Sequence, residues 1–223
     1  MLRKPRFWLV LAALAVTSLV GFGFWLFWAA RQVPDWYSEA VAVDDSAALE
    51  KASDQMEQRI AELISAFETT GRWEVVITEE QINGWLSHGL PKKHPDALPV
   101  GLADPRVKIE PDGVTGAGRV DLETAAGVVS LKVDFYATEE HCLAARIRKA
   151  RLGRVPWPLN RVLEEISGAA GRSEVPLAWR EVEGDPVAVI RIPLIEGDKR
   201  VLIETLKLDD GKLLVGGVTE RVK

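Results

Sequence analysis

Six cations, Arg146, Arg148, Lys149, Arg151, Arg154 and Arg161, fall within 16 residues of a chain that is otherwise acidic. Guanidinium and ammonium groups at that density suit charge-assisted contact with the phosphates of anionic lipid, or with the acidic face of a partner. The same cations, laid along one strand and the loop after it, also suit ordinary ion pairs with Glu164, Glu165 or neighbouring strands. The two readings differ in one respect, whether the cations are already paired.

Other reactive side chains do not converge. His88 and His94 are six residues apart across a Pro-Lys-Lys loop, so no helix face presents both to a metal. His141 adjoins Cys142 at the start of an expected strand, where neighbouring side chains point to opposite faces. Cys142 is the only cysteine, which rules out an intramolecular disulfide. The adjacent acids Glu79-Glu80, Glu139-Glu140 and Glu164-Glu165 suit helix starts and solvated faces better than a shared substrate. Gly116-Ala117-Gly118 resembles half of a dinucleotide fingerprint but has no helix after it. No nucleophile-elbow, zincin or phosphate-loop string occurs. The expectation is therefore a non-enzymatic chain with no cofactor and no metal.

A second candidate is apolar. Val155, Pro156, Trp157, Pro158 and Leu159 follow Leu152-Gly153-Arg154 and lead into a helix that carries Leu163. The prolines stiffen this run. Exposed, it offers an apolar lip for a ligand; buried, Trp157 caps the core beneath the helix.

Elements that could hold these groups are legible from periodicity. Leu49, Ala52, Met56, Ile60, Leu63 and Phe67 are spaced three or four apart, which predicts a long helix with Ser46 as N-cap and Gly71 as its stop. Trp73–Ile77 alternates as a strand. Thr78-Glu79-Glu80-Gln81 then opens a helix through a capping box, with Ile82, Trp85 and Leu86 on its apolar face and its end near Gly89 and Pro91. Residues 91–104 read as a loop.

From Pro105 the period becomes two. Strands are expected around Val107–Ile109, Val120–Leu122, Val129–Phe135 and Leu143–Ile147, joined by short turns such as Asp112-Gly113, with Ala126-Gly127 as a break. Leu159, Val162, Leu163 and Ile166 predict a helix with Pro158 as its first residue. Four strands then close the chain, around Val175–Val182, Val187–Ile192, Val201–Leu208 and Leu213–Val218, with turns at Gly184-Asp185, Gly197-Asp198 and Asp210-Gly211. The fold class is α+β, with eight or nine strands, three helices and a long twisted antiparallel sheet wrapped around helices.

Ahead of these elements, residues 7–30 carry no charge. At about 1.5 Å per residue such a run extends roughly 36 Å as a helix, enough to cross a bilayer core. Arg3, Lys4 and Arg6 precede it, while Asp35, Glu39, Asp44 and Asp45 follow, so the N-terminus is expected inside and the rest outside. Phe22, Phe24, Trp25, Phe27 and Trp28 suit an interfacial belt and leave no small-residue cleavage site, so the segment reads as an uncleaved transmembrane anchor. The expected divisions are 1–30 for basic tip and anchor, 31–45 for a juxtamembrane stalk, and 46–223 for an extracytoplasmic domain. Three basic residues stand in the first division; the chain beyond residue 30 has a formal charge of −8, which does not suit a nucleic-acid binder.

Two strings, Thr78-Glu79-Glu80-Gln81-Ile82-Asn83-Gly84-Trp85-Leu86 after a short strand and Arg151-Leu152-Gly153-Arg154-Val155-Pro156-Trp157-Pro158-Leu159 after a meander, resemble single-pass bacterial envelope proteins of the YpmS type. More distantly, the order of elements over residues 46–220 is similar to tubular lipid-binding (TULIP-like) domains, in which a curved sheet wraps a long helix around an apolar groove. The resemblance implies a fold more than an activity. The combined expectation is an inner-membrane, single-pass protein whose outer domain binds an apolar or amphiphilic ligand, lipid foremost. The alternative is a scaffold subunit with an envelope protein partner.

Overall fold

The structure is a computed structural model that describes residues 25, 27–43, 45–95, 98, 101–122, 125–138, 142–172, 176–190 and 199–221. Most of the expected anchor, including Arg3, Lys4 and Arg6, lies outside these residues, as do His141, Glu139-Glu140, the Gly197-Asp198 turn and strand ends Val175 and Ile192. Among the described residues no helix is long and apolar enough to cross a membrane.

The strongest period in the chain forms its longest helix. Helices α1 (Asp35–Ala42) and α2 (Ser46–Glu68) precede the sheet strands. The N-cap of α2 is Asp45, one residue earlier than expected: its carboxylate accepts from the amides of Ala47 and Ala48, both at 3.1 Å. A carboxylate there also meets the positive end of the helix dipole, an advantage that the Ser46 hydroxyl lacks.

Strand β1 (Gly71–Thr78) leads into α3 (Glu79–Gly84), a π-helical turn (Trp85–Gly89) and α4 (Leu90–Lys93). The capping box forms as read, with the Gln81 amide donating to Thr78 Oγ1 at 3.2 Å and the Thr78 amide to Gln81 Oε1 at 3.0 Å. The helix runs past Gly89 because the π turn resets the hydrogen-bond ladder. Pro91 then falls in the first turn of α4, where no N–H is required. Gly84 is needed where α3 crosses α2, since a Cβ there would lie 2.5 Å from the Ala52 methyl.

The remaining strands are β2 (Leu102–Glu110), β3 (Gly113–Leu122), β4 (Ala125–Ala137), β5 (Leu143–Leu152), β6 (Val155–Pro156), β7 (Leu177–Val182), β8 (Asp185–Ile190), β9 (Lys199–Asp209) and β10 (Lys212–Arg221), with α5 (Leu159–Arg172) between β6 and β7. The chain is α+β with a large antiparallel sheet. The strands form two sheets instead of one: β1-β10-β9, and β2-β3-β4-β5-β8-β7 with β6 on the end of β5. The meander through β5 and the last hairpin are as the alternation predicted. β1 is drawn to β10 from the far end of the chain, a pairing that local pattern does not specify.

Where the sheets adjoin, α3 closes the free edge of β2. Asn83 Nδ2 donates to the Val107 carbonyl at 2.9 Å while Asn83 Oδ1 accepts from the Val107 amide at 2.8 Å. Glu79 accepts from the Ile109 amide at 2.7 Å, and the Gly211 amide donates to the Ile109 carbonyl at 3.0 Å. The Asn83 and Glu79 side chains and the Gly211 amide satisfy an edge that would otherwise present open backbone groups.

Register separates the large sheet into two faces. Val129, Leu131, Val133 and Phe135 of β4 align with Val114 of β3 and with Ala145, Ile147, Ala150 and Leu152 of β5 on an apolar face. A bulge at Lys132/Val133 keeps both halves of β5 in phase with β4. Ser130, Lys132, Asp134, Thr115, Arg146, Lys149 and Arg151 share the opposite, polar face.

Part of that polar face is covered by α1, which lies in the stretch the sequence presented as a stalk. Helix α1 lies on it, with Tyr37 only 4% exposed against Ala117 and Val128, and Trp36 and Val41 at the margins. The Tyr37 hydroxyl donates to the Asp104 carbonyl at 2.8 Å, and Arg106 Nε to the Ala40 carbonyl at 3.2 Å. Burial, foremost, raises the Tyr37 hydroxyl above the ordinary tyrosine range and lowers the Arg106 guanidinium. The short apolar spacing in Trp36, Tyr37 and Val41 was the available signal, obscured by Pro34 and the acids around it.

Candidate functional site

Strand β5 carries the cation cluster between β4 on one side and β8 on the other, and each neighbour supplies carboxylates. Arg146 reaches Asp185 at 2.7 Å and Glu183 at 3.0 Å; Arg148 reaches Asp134 at 2.5 Å and Asp185 at 3.1 Å. The hydrogen bond to Glu183 raises the Arg146 guanidinium, and that to Asp134 raises Arg148. The hydrogen bond from Arg146 leads in holding the Asp185 carboxyl below the usual range. These two arginines of the expected basic surface are thus ion-paired within the sheet.

Lys149, Arg151 and Arg154 differ. All are exposed, and among the described residues none has a carboxylate within ion-pair distance. The side chain of Arg161 lies outside the described ones. The three free cations join Lys132, which is held by Asp112 at 2.6 Å, around a cleft of about 360 Å³. The opposite wall is the chain from Gln32 to Trp36, with Asp35 as its carboxylate.

The apolar lip divides as well. Val155 pairs with Leu152 and Pro156 with Arg151, which makes β6 a short return on the end of β5. The Trp157 amide donates to the Ala150 carbonyl at 2.9 Å, and its side chain is half-buried, neither a free lip nor a core plug. Pro156 and Pro158 are exposed; Pro158 stands just ahead of α5 and does not begin it. Leu159 and Leu163 lie one turn further on and line a different cleft, of about 440 Å³, with Trp179 and Pro186 of the β7–β8 hairpin. Trp179 Nε1 donates to Ser167 Oγ at 2.8 Å, tying the hairpin to α5. Leu159, Val162, Leu163 and Ile166 are all only half-buried. The sequence reading missed Trp179 and Pro186 because nothing local announces that β7–β8 folds back beside α5.

No family model, curated protein or solved structure matches the chain. Neither cleft gathers a nucleophile with a base. Among the described residues, no group of three or more His, Cys, Asp or Glu side chains could hold a metal. What the geometry offers is an apolar trough under α5, and separately a cationic trough beside the first described residues.

Proposed function

We propose that the chain is a non-enzymatic, membrane-anchored protein of the cell envelope whose outer domain binds an amphiphilic ligand, a lipid, through the cleft beside α5. The observation that carries this reading is the half-buried apolar stripe Leu159, Val162, Leu163 and Ile166, of which Leu159 and Leu163 line a cleft opposite Trp179 and Pro186. A helix with such a stripe gains about 25 cal/mol for each Å² it covers, and here the protein covers it only in part. An acyl chain is a partner of suitable shape and chemistry.

The anchor belongs to the same proposal. The uncharged run 7–30 with its basic flank supports insertion into the inner membrane with the N-terminus in the cytoplasm. So do the resemblance to YpmS-type envelope proteins and the likeness to TULIP-like domains, whose sheet wraps around a helix.

The test is lipid retention. The full chain is extracted from membranes in mild detergent, and bound lipid per protein is counted by mass spectrometry for the native chain and for Leu163→Asp. Loss of a bound lipid in a variant of unchanged melting behaviour supports the proposal. Equal lipid in both refutes it and favours the alternative, a scaffold that docks a protein partner on the same stripe.

A further inference from the structure

We infer that the cleft between the Gln32–Trp36 segment and the polar face of the sheet is a second site, which takes the phosphate of an anionic lipid headgroup through Lys149, Arg151 and Arg154. The inference rests on the anchor reading, since it needs the cleft to stand beside a bilayer.

Charge distribution is the first ground. The chain beyond residue 30 carries a formal −8, and several other cations of the same sheet are consumed, Arg146 and Arg148 as described, Arg119 by Asp104 and Lys108 by Glu110, while Arg180 on β7 stands singly beside the other cleft. Among the described residues three neighbouring cations have no ion pair and line one cleft, with Asp35 as a lining carboxylate and Asp112 within electrostatic reach of Lys149. An acidic domain that keeps such a cluster unpaired presents a site suited to a compact anion, and guanidinium forks match phosphate oxygens two at a time.

Position is the second ground. The Arg154 amide donates to the Ala29 carbonyl at 2.9 Å, so the cleft is joined through main chain to the last residues of the apolar run. Gly153 makes the approach possible: its φ is +56°, and a Cβ would lie 2.5 Å from both the Ala29 and Ala30 carbonyl oxygens. Ala29 is 2% exposed, whereas Trp25, Phe27 and Trp28 just before it are 55–56% exposed. Large aromatics displayed there suit the headgroup level of a bilayer. A cation cluster one hydrogen bond away from that level faces phosphates, not bulk water.

The shared ligand chemistry is a phosphate ester, and the experiment separates lipid from free anion. The full chain is reconstituted in vesicles of phosphatidylcholine with a minor fraction of phosphatidylglycerol. It is then extracted in mild detergent, and retained phosphatidylglycerol relative to phosphatidylcholine is measured by mass spectrometry. The native chain is expected to enrich phosphatidylglycerol. Lys149→Gln, Arg151→Gln and Arg154→Gln should each lower the ratio by up to about fivefold, less so at high salt. Control variants Lys51→Gln and Lys207→Gln, exposed on α2 and β9, should leave it unchanged.

Equal ratios in native and cleft variants, or equal losses in the controls, would overturn the inference. Displacement of the lipid by millimolar inorganic phosphate would also overturn it, by making the cleft a free-anion site. Melting curves accompany each variant, so that a loss of fold is told apart from a loss of lipid preference. Leu163→Asp distinguishes the two sites: it should abolish the α5 lipid while preserving the phosphatidylglycerol preference. A mature N-terminus beginning beyond residue 28 would end the anchor reading and this inference with it, whereas equal ratios in a chain that keeps its N-terminus would end the inference alone.

Discussion

Replacing Asn83 with alanine removes both hydrogen bonds that close the edge of β2 at Val107, at 2.9 and 2.8 Å. Each contributes about 1 kcal/mol net, and the half-buried Val107 amide and carbonyl left behind add roughly another 1 kcal/mol. Alanine returns about 0.6 kcal/mol in helix propensity. The expected loss is therefore about 2–3 kcal/mol, which for a domain of this size lowers the melting temperature by roughly 4–12 °C. Equilibrium denaturation gives the energy, and hydrogen exchange at the Val107 amide gives the location. Asn83→Asp sharpens the test. It keeps the acceptor for the amide but sets a carboxylate oxygen against the Val107 carbonyl, so it should destabilise at least as much as alanine. A loss below about 0.5 kcal/mol for Asn83→Ala, the range of an ordinary surface substitution, would refute the edge-closing role. Unchanged protection at Val107 would do the same.

Four further outcomes are expected, three from the geometry and the last from the anchoring proposal. On alkaline titration followed by phenolate absorbance, Tyr37 should ionise above the ordinary tyrosine range, and Tyr37→Phe should remove that step. Because the Asp185 carboxyl is depressed in the folded chain, its ion pairs stabilise fully above about pH 4, the unfolded value, and are lost as pH falls through the folded one; Asp185→Asn should flatten the acid limb of a stability-against-pH curve. Trp157→Ala, at a half-buried position, should cost less than the about 3–5 kcal/mol of a core tryptophan, with bound lipid counted on the same sample. Mass spectrometry of the intact protein from membranes should find the N-terminus ahead of the apolar run; a start beyond residue 28 would show cleavage.

Legibility in the sequence followed the range of the interaction. The capping box at Thr78 and Gln81, the long helix to Phe67 and the meander from Val107 to Ile147 depend on neighbours a few residues away, and their periods announced them. Asp45 displaced Ser46 as a cap by one position, a difference of reach and charge that pattern does not weigh. The two-sheet division was hidden because β1 meets β10 across most of the chain. Pairing in the basic cluster was equally hidden: Arg146 and Arg148 find Asp185 some forty residues on, only because β8 lands beside β5. Of the apolar lip, Leu159 and Leu163 come together, but the wall opposite them is supplied by Trp179, which sequence order places well apart. Glu79 read as a solvated acid and is instead an edge-strand acceptor, a role that only the approach of β2 creates.

The contact of Ala29 and Ala30 with Gly153, and the seat of α1 on the sheet, also bear on how far the sheet domain could wander from a membrane anchor. A free fifteen-residue tether has a root-mean-square reach of about 20 Å and lets a domain tumble above its anchor. Docked as it is, this segment has no such slack, so under the anchoring proposal the sheet rides at a fixed height and azimuth over the bilayer. Its encounters become a search in two dimensions with one face always presented downward. A ligand or partner approaching from the membrane plane then meets the cationic trough at a constant orientation, while anything reaching α5 must arrive at the level the rigid mount allows.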